Sequence, residues 1–323
     1  MTFKLFGTAE RTYWKTIFES STGANRWITV EAVENTVYRL WAVGGGGGGS
    51  NSWNDSTPSE SACAGGGSGG YAYAVLDNTS GQSSGGDIQV YVGLGGTSAY
   101  TTGYYDNITA GSGEYSKIRF PKLSSSFTVY AYTYNGKTYY TDETNYPSDA
   151  YTLDSSGNVT DYGIIIVDSG DNDYICFSKT GTPRYTRDST KDTTAKMIMP
   201  ADALTGHYGT GGATGMDRYG TAGTGGSATV HTANFTFQQY TTTNGNAGTA
   251  FGSSYGTASG GASLYLGHGK GGSAGPAAAV ESGTSGYVRI DKMSNASDYT
   301  YVEEKISDIR LYNDSGNMKG YNE

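Results

Sequence analysis

Glycine recurs at every third position in three separate runs, and this spacing limits the backbone conformations that those runs can adopt. The runs are Gly206, Gly209, Gly212 and Gly215, then Gly220, Gly223 and Gly226, then Gly269, Gly272 and Gly275. A period of three fits neither an α-helix nor a β-strand, but it matches the polyproline II helix, which has three residues per turn. Such helices can pack side by side and pair their backbone N–H and C=O groups when the contacting faces carry no Cβ. The spacing therefore predicts a polyglycine-II helix lattice.

A run of six glycines is predicted to occupy the centre of that lattice, because a helix packed on every face needs glycine at every position. This run consists of Gly44, Gly45, Gly46, Gly47, Gly48 and Gly49. The alternative is a flexible Gly/Ser linker. We favour the lattice because 44–49 directly follows the apolar segment Val37–Val43, and because 65–70 runs directly into a second apolar segment. Collagen is excluded, since the runs are short and the chain has only 6 Pro.

Short alternating segments indicate that the rest of the chain is mainly β. Ile88, Val90, Val92 and Leu94 share one face of a predicted strand, and the stretch from Phe127 to Thr133 repeats the same alternation. Segments 27–33 and 37–43 are predicted to form a hairpin, and further strands are predicted at 162–167, 174–177 and 196–199. Apolar residues at helical spacing predict a short helix over 298–312.

The fold class expected from these patterns is all-β, with β-sandwich-like strands combined with a polyglycine-II helix lattice and an inserted β module. The glycine-poor stretch between the two glycine-rich blocks is the predicted insertion. The predicted divisions are an N-terminal attachment segment (1–26), the first part of the glycine-rich domain (27–114), the inserted β module (115–203), the second part of the glycine-rich domain (204–291) and a C-terminal tail (292–323).

Charge and targeting signals narrow the range of partners. The net charge of −9 and the pI of about 4.8 disfavour nucleic acid and anionic membranes, which need clustered Lys and Arg. The opening residues lack the apolar core of a signal peptide, and no segment approaches the length of a membrane span. Cys63 and Cys176 have neither metal-ligand nor CxxC spacing, and two ordinary buried thiols are favoured over a pair.

No catalytic or metal-binding pattern emerges from the residues that carry chemistry. The 3 His have no nucleophile or metal partner beside them in sequence, and the GxGxxG match at 267–272 lacks the strand and helix that a dinucleotide site requires. Asp168, Asp171 and Asp173 lack the glycine and terminal Glu of an EF-hand, so a solvated turn is favoured over a Ca²⁺ site. We therefore expect no enzyme activity, no cofactor and no metal.

Tyrosines in or beside turns are the candidate receptor contacts, because their rings supply contact area at a small entropic cost. The alternative is that these rings simply pack on strands and glycine helices. The candidates are Tyr104, Tyr105, Tyr208, Tyr219, Tyr255 and Tyr265. The loops predicted to bind are 216–219, 240–256 and 262–268, and the 115–203 insertion is the rival surface.

A succession of motifs resembles the glycine-rich domain of bacteriophage tail-fibre and receptor-binding proteins. It begins with VYRLWAVGGGGGG and ACAGGGSGGYAYAVLD, continues with DIQVYVGLGGT and separated glycine runs, and ends with GTSGYVRIDKM. The resemblance covers about 27–113 and 204–291. It extends in architecture to the tip adhesins of T-even-type long tail fibres, whose polyglycine-II helices display variable loops. Animal receptor tyrosine kinases carry a similar domain, but the missing signal peptide and scarce cysteines argue against them.

The resemblance implies a virion adhesin that recognises a host cell-surface protein or polysaccharide through loops on a glycine-rich scaffold. Such a protein would be made in the host cytoplasm and carried on the virion surface. It would contact other virion proteins there and could form a homo-oligomer. Two alternatives stay open. One is a purely structural virion protein, such as a head fibre, decoration or baseplate-associated part, and the other is a surface-polysaccharide hydrolase.

Overall fold

The computed structural model describes seventeen stretches of the chain. They are 13–24, 26–32, 36–52, 62–78, 86–102, 107–123, 126–134, 137–141, 149–164, 186–187, 189–196, 198–214, 220–252, 257–275, 279–294, 311–312 and 318–319. One compact unit spans 16–292. A second comprises 1–15 and 293–323, and two of its described stretches pair with each other as short antiparallel strands.

The protein is all-β: the described residues form twenty-five strands and one 3₁₀ turn, Ser189–Lys191, with no α-helix among them. In chain order the strands are β1 (Tyr13–Ser20), β2 (Ile28–Glu31), β3 (Val37–Val43), β4 (Ser50–Ser52), β5 (Ala62–Ala64), β6 (Tyr71–Asp77), β7 (Asp87–Tyr91), β8 (Ala99–Thr101), β9 (Ile108–Thr109), β10 (Ser116–Leu123), β11 (Phe127–Tyr134), β12 (Lys137–Thr141), β13 (Asp149–Leu153), β14 (Val159–Ile164), β15 (Thr186–Arg187), β16 (Thr193–Ala195), β17 (Ile198–Gly206), β18 (Ala213–Thr214), β19 (Gly220–Thr221), β20 (Ala228–Val230), β21 (Phe237–Thr243), β22 (Ala250–Gly252), β23 (Tyr287–Ser294), β24 (Leu311–Tyr312) and β25 (Met318–Lys319).

Two five-stranded sheets pack against each other around one apolar core, here called the two-sheet core. The first sheet has the order β1-β23-β3-β6-β21 and the second has the order β2-β7-β10-β17-β20. Alternate residues of β3, β6, β7 and β10 face inward, as the period of two requires. Tyr38, Leu40 and Leu76 of the first sheet meet Ile88 and Phe120 of the second, and all five are fully buried.

The predicted inward faces are largely confirmed. Ile88, Val90 and Val92 are fully buried, but Leu94, which lies three residues past the end of β7 between Gly93 and Gly95, is 38% exposed. Val129 is fully buried on β11 as its alternation predicted. The strand predicted at 162–167 corresponds to β14, which starts earlier, at Val159, and extends to Ile164. Residues 165–167 lie outside the described residues.

Two predictions of local structure are wrong. Segments 27–33 and 37–43 do not form a hairpin, because β6 and β23 pair with both edges of β3 along most of its length, while β2 pairs with β7 in the other sheet. Leu311 and Tyr312, the last residues of the predicted helix, lie in a strand paired with β25. The rest of that helix and the strand predicted at 174–177 lie outside the described residues.

The glycine-poor stretch is divided between two sheets. Its end strands, β10 and β17, pair along their length and belong to the two-sheet core. Between them, β11 to β16 form a separate sheet with its own small apolar cluster around Val129 and Ala195. The predicted domain limits stay a prediction.

Cys63 is a buried free thiol, as predicted, and its burial raises the thiol pKa to about 11. Cys176 lies outside the described residues.

Candidate functional site in the glycine bundle

Ten glycine-rich segments run between the two-sheet core and a group of short strands, and together they are called the glycine bundle. The segments are 44–49, 65–70, 93–98, 110–115, 207–212, 222–227, 244–249, 257–263, 269–275 and 279–286. At the end away from the core, the short strands form two small sheets, with the orders β22-β5-β4-β8 and β19-β18-β9. This end of the bundle is called the far end.

Segment 44–49 donates its six backbone N–H groups to three neighbouring segments in strict rotation. Gly44 and Gly47 donate to 65–70, and Gly45 and Gly48 donate to 110–115. Gly46 and Gly49 complete the rotation by donating to 279–286, and the six N···O distances are 2.8–3.0 Å. Each neighbour is met again after three residues, the periodicity of a threefold helix.

The carbonyl groups of the same segment accept from three further segments. Gly45 and Gly48 accept from 207–212, Gly46 and Gly49 accept from residues 96 and 99, and Gly47 accepts from Gly272. Segment 44–49 therefore has six hydrogen-bonded neighbours, and all its residues are buried. All six of its N–H groups and the carbonyl groups of Gly45 to Gly49 are therefore hydrogen-bonded without water, which is the condition for burying them at low cost.

Segment 65–70 is a second centre of the bundle that was not among the predicted lattice positions. Its N–H groups donate in the same rotation to 244–249, 269–275 and 207–212. It accepts hydrogen bonds from 44–49, from 222–227 and from Gly261, so it also has six neighbours. The signal in sequence was the glycine density of GGGSGG, in which Ser68 is the only residue with a side chain and is fully buried.

Glycine is required at these centres because neighbouring carbonyl oxygens lie where a Cβ would stand. At Gly47 the overlapping atom is the Thr210 carbonyl oxygen, and at Gly66 it is the Gly47 carbonyl oxygen. The same close backbone approach holds at the predicted lattice positions Gly44, Gly45, Gly46, Gly48, Gly49, Gly206, Gly209, Gly212, Gly220, Gly223, Gly226, Gly269 and Gly272.

Two predicted lattice positions differ from the rest. At Gly275 a Cβ would meet only ordinary contacts, the nearest at 3.4 Å, and Gly215 lies outside the described residues. Conversely, Gly211, Gly225 and Gly271 approach neighbouring carbonyls as closely as the glycines three apart do. The three-residue spacing did not predict these glycines. A threefold helix has three faces, each formed by every third residue, and a segment packed closely on two faces needs glycine at two of every three positions.

Threonine hydroxyls complete the hydrogen bonding at three outer hairpins of the bundle. In the first, Thr210 N–H donates to the Thr224 carbonyl, and Thr224 N–H donates to Thr210 Oγ1 at 2.7 Å. Two hydrogen bonds of the same kind join Thr249 with Ser259 and Thr284 with Lys270. In each case the threonine N–H donates to the partner's carbonyl, and the partner's N–H donates to the threonine Oγ1. At the surface, where no further segment accepts the N–H, a side chain does so.

Two of the six predicted tyrosine contacts lie within the described residues. Tyr208 is 41% exposed and begins a bundle segment at the core end, where Tyr265 also lies, in a turn. Tyr104, Tyr105, Tyr219 and Tyr255 lie outside the described residues, in connections whose flanking strands belong to the far end. Of the six candidates, the structure therefore places Tyr208 and Tyr265 alone.

The turn at 263–269 holds an exposed leucine next to a packed tyrosine. Leu266 is 78% exposed and has a φ of 49°, a backbone conformation that residues other than glycine rarely adopt. The neighbouring Tyr265 ring packs between the rings of Tyr71 and Tyr287, with centroids 5.5 and 5.2 Å away. Ser263 Oγ donates to the His268 carbonyl at 2.6 Å and fixes the turn.

An ion-pair cluster lies on the outer face of the second core sheet. Asp202 accepts from Lys117 Nζ at 2.9 Å and from Arg119 Nε at 2.7 Å, and the Arg119 guanidinium lies 4.3 Å from the centroid of the Trp27 ring. Partial burial alone would raise the pKa of Asp202, but the hydrogen bonds and charges of the two cations outweigh it and hold that pKa below its usual range.

The described residues give little support to a catalytic or metal site. A hollow of about 350 Å³ lies between Lys122–Leu123 and residues 232–236, and none of its lining residues is a carboxylate. No group of three or more His, Cys, Asp or Glu in the described stretches is placed to hold a metal ion. Nor does any helix in them have the length and apolarity to cross a membrane.

The described surface exposes the large apolar side chains of Tyr208, Tyr240, Phe251 and Leu266. No protein-family model matches the chain, and no curated protein sequence matches it.

Proposed function

We propose that the glycine bundle is a polyglycine-II helix lattice on a β-sandwich-like body and that the protein is a bacteriophage tail-fibre or receptor-binding adhesin. The observation that carries the lattice is the rotation of hydrogen bonds around 44–49, in which each neighbour recurs after three residues. A lattice of this kind supplies a rigid base for loops without requiring a large side-chain core.

The far end is proposed as the receptor-binding end. Strands of the two small sheets at the far end flank four connections in sequence, which are 53–61, 103–106, 215–219 and 253–256. Loops on a rigid scaffold are the usual location of recognition residues. Tyr104, Tyr105, Tyr219 and Tyr255 lie in these connections and are the proposed contacts with a host protein or polysaccharide.

Binding of purified protein to bacterial cells tests this proposal. We expect labelled protein to be retained by the cells of a permissive host, and Tyr219→Ala combined with Tyr255→Ala to weaken retention at least about tenfold, as loss of aromatic anchors does in other interfaces. Tyr208→Ala, at the core end, is the matched control and leaves retention unchanged. Protease or periodate treatment of the cells separates a protein receptor from a glycan.

A purely structural virion part is the second candidate, and one observation favours it. Tyr240 and Phe251 are 55% and 47% exposed, and both lie away from the core-end turn that displays Leu266. Exposed apolar side chains of this kind suit assembly contacts. Virions that lack the protein and fail to assemble, together with no retention by any host fraction, would favour this candidate over the adhesin.

A further inference from the structure

One long stretch of the sequence carries no charged side chain. From Tyr219 to Gly269 the sequence contains no Asp, Glu, Lys or Arg, although the chain as a whole has 51 such residues. The described parts of this stretch lie side by side: Gly245 N–H donates to the Gly226 carbonyl, and Thr249 N–H donates to the Ser259 carbonyl. Together, β20, β21, β22 and the bundle segments between them form what is called the uncharged flank.

Strand β21 is the edge of its sheet on this flank. It pairs with β6 on one side, and no strand in the described part of the chain pairs with its other side. Six of its seven residues are exposed, and its sequence FQQYTTT contains neither proline nor charge. Proteins usually protect such edges with charges or proline, as β1 does with Lys15 and Glu19. This edge lacks both.

The backbone groups that point away from the sheet can be identified from the pairing. Gly44 N–H donates to the Gly70 carbonyl on the β3 side, and Asp77 N–H donates to the Thr236 carbonyl on the β21 side. Backbone groups alternate along a strand, so residues 71, 73 and 75 face β21, where they lie opposite 243, 241 and 239. The N–H and C=O groups of Tyr240 and Thr242 therefore point outward.

We propose that β21 pairs antiparallel with β21 of a second copy, about a two-fold axis at Thr241. Tyr240 of each copy then lies opposite Thr242 of the other, and the two first sheets join into one of ten strands. Two copies that each carry a net charge of −9 repel each other, and pairing through β21, which contains no charged residue, places no like charges opposite one another in the new strand pair. A strand paired with itself about a two-fold axis satisfies the self-complementarity of a symmetric dimer.

Sedimentation equilibrium of the full chain over a range of concentrations measures the association. We expect a reversible dimer, and Thr242→Pro removes an outward N–H while leaving the bonds to β6 in place. This change is expected to raise the dissociation constant at least about tenfold, because it removes two symmetry-related hydrogen bonds. Thr242→Ser is the matched control and keeps the dimer. Thr242→Lys, which keeps the N–H but places two like charges together, is expected to dissociate the dimer as well.

Cysteine cross-linking tests the position of the axis. Opposing residues without mutual hydrogen bonds have Cα atoms about 4.5 Å apart, within the range of a disulfide. Thr241→Cys is therefore expected to give a covalent dimer under mild oxidation. Thr243→Cys, on the same face of the same strand, lies too far from its copy and gives no more cross-linking than the wild type.

A monomer at every concentration would overturn the proposal, and so would a dimer that both Thr242→Pro and Thr242→Lys leave intact. Cross-linking through Thr243→Cys but not Thr241→Cys would overturn the position of the axis. None of these outcomes depends on host binding, so they leave the proposed adhesin function untouched.

Discussion

The two-sheet core and the glycine bundle bury opposite kinds of atoms within one compact unit. In the core, Leu40, Leu76 and Phe120 bury side chains between two sheets, and the backbone is paired within each sheet. In the bundle, 44–49 and 65–70 have almost no side chains, and the backbone itself is the buried material. The hydrophobic effect stabilises the first region, whereas close approach and hydrogen bonds between segments stabilise the second.

This difference predicts that the two regions respond oppositely to a change in side-chain size. Adding a carbon to the bundle creates overlap with backbone atoms, which cannot move aside as a flexible side chain can. Removing carbons from the core leaves a cavity.

The largest expected effect comes from Gly47→Ala, because the new Cβ would overlap the Thr210 carbonyl oxygen. We expect a loss of at least about 3 kcal/mol in the free energy of unfolding, or failure to fold. Gly275→Ala is the control, since its Cβ meets only ordinary contacts, and it should stay within about 0.5 kcal/mol of the wild type. Equal stability of both variants in denaturant titrations would contradict the close packing of the bundle.

Leu40→Ala is expected to destabilise the two-sheet core by about 2–5 kcal/mol, because a fully buried side chain is replaced by a cavity. Leu123→Ala offers the matched control, since Leu123 is 40% exposed at the end of β10. Its expected cost is about 1 kcal/mol or less. Comparable losses for the two leucines in chemical unfolding would argue against the core as described.

Thr210→Val tests the hydroxyl bonding at the outer hairpins. The change keeps the shape of the side chain but removes the acceptor of the Thr224 N–H, so we expect a cost of about 1 kcal/mol. Thr224→Val on the same hairpin loses only the contact between the two hydroxyls and is expected to cost less. The reverse order of stability in denaturant titrations would contradict the assigned direction of the bond.

Asp202→Asn is expected to have the smallest effect, under about 1 kcal/mol, because the ion pairs with Lys117 and Arg119 are partly exposed. The folded-state pKa of Asp202 lies below the unfolded value, so the carboxylate stabilises the fold above the unfolded pKa, near 3.8. That contribution is lost as pH falls through the folded pKa. Unfolding measured from pH 7 to pH 2 should show the two proteins converging in acid, and a difference that grows in acid would reverse the assignment.

The buried faces of strands could be predicted from the sequence, whereas the pairing of strands distant in sequence could not. The alternation at Ile88, Val90 and Val92 predicted a buried face because the period of two depends on neighbouring residues alone. The hairpin between 27–33 and 37–43 was wrong because nearness in sequence favours a hairpin, whereas β23, more than two hundred residues away, pairs with β3 instead. A local pattern contains no information about such a partner.

The candidate site was predicted only in part for the same reason. Glycines three residues apart identified one closely packed face of each bundle segment. A second such face, at Gly211, Gly225 and Gly271, could not be predicted because it depends on which segments lie alongside. The threonine hydroxyls at the outer hairpins depend on that arrangement too. The tyrosine candidates were selected by residue type and nearness to turns, and neither property specifies which neighbours Tyr265 packs against.

Hydrogen exchange of the backbone amides in 44–49 and 65–70 tests the central claim most directly. If these segments are hydrogen-bonded on every side, their amides should be protected to the same degree as those of the core strands β3 and β6. If they form a flexible glycine linker, their amides should exchange at the rate of an unstructured peptide while β3 and β6 stay protected. The first result is the one that the hydrogen bonds around Gly44 to Gly49 predict, and the second would contradict it.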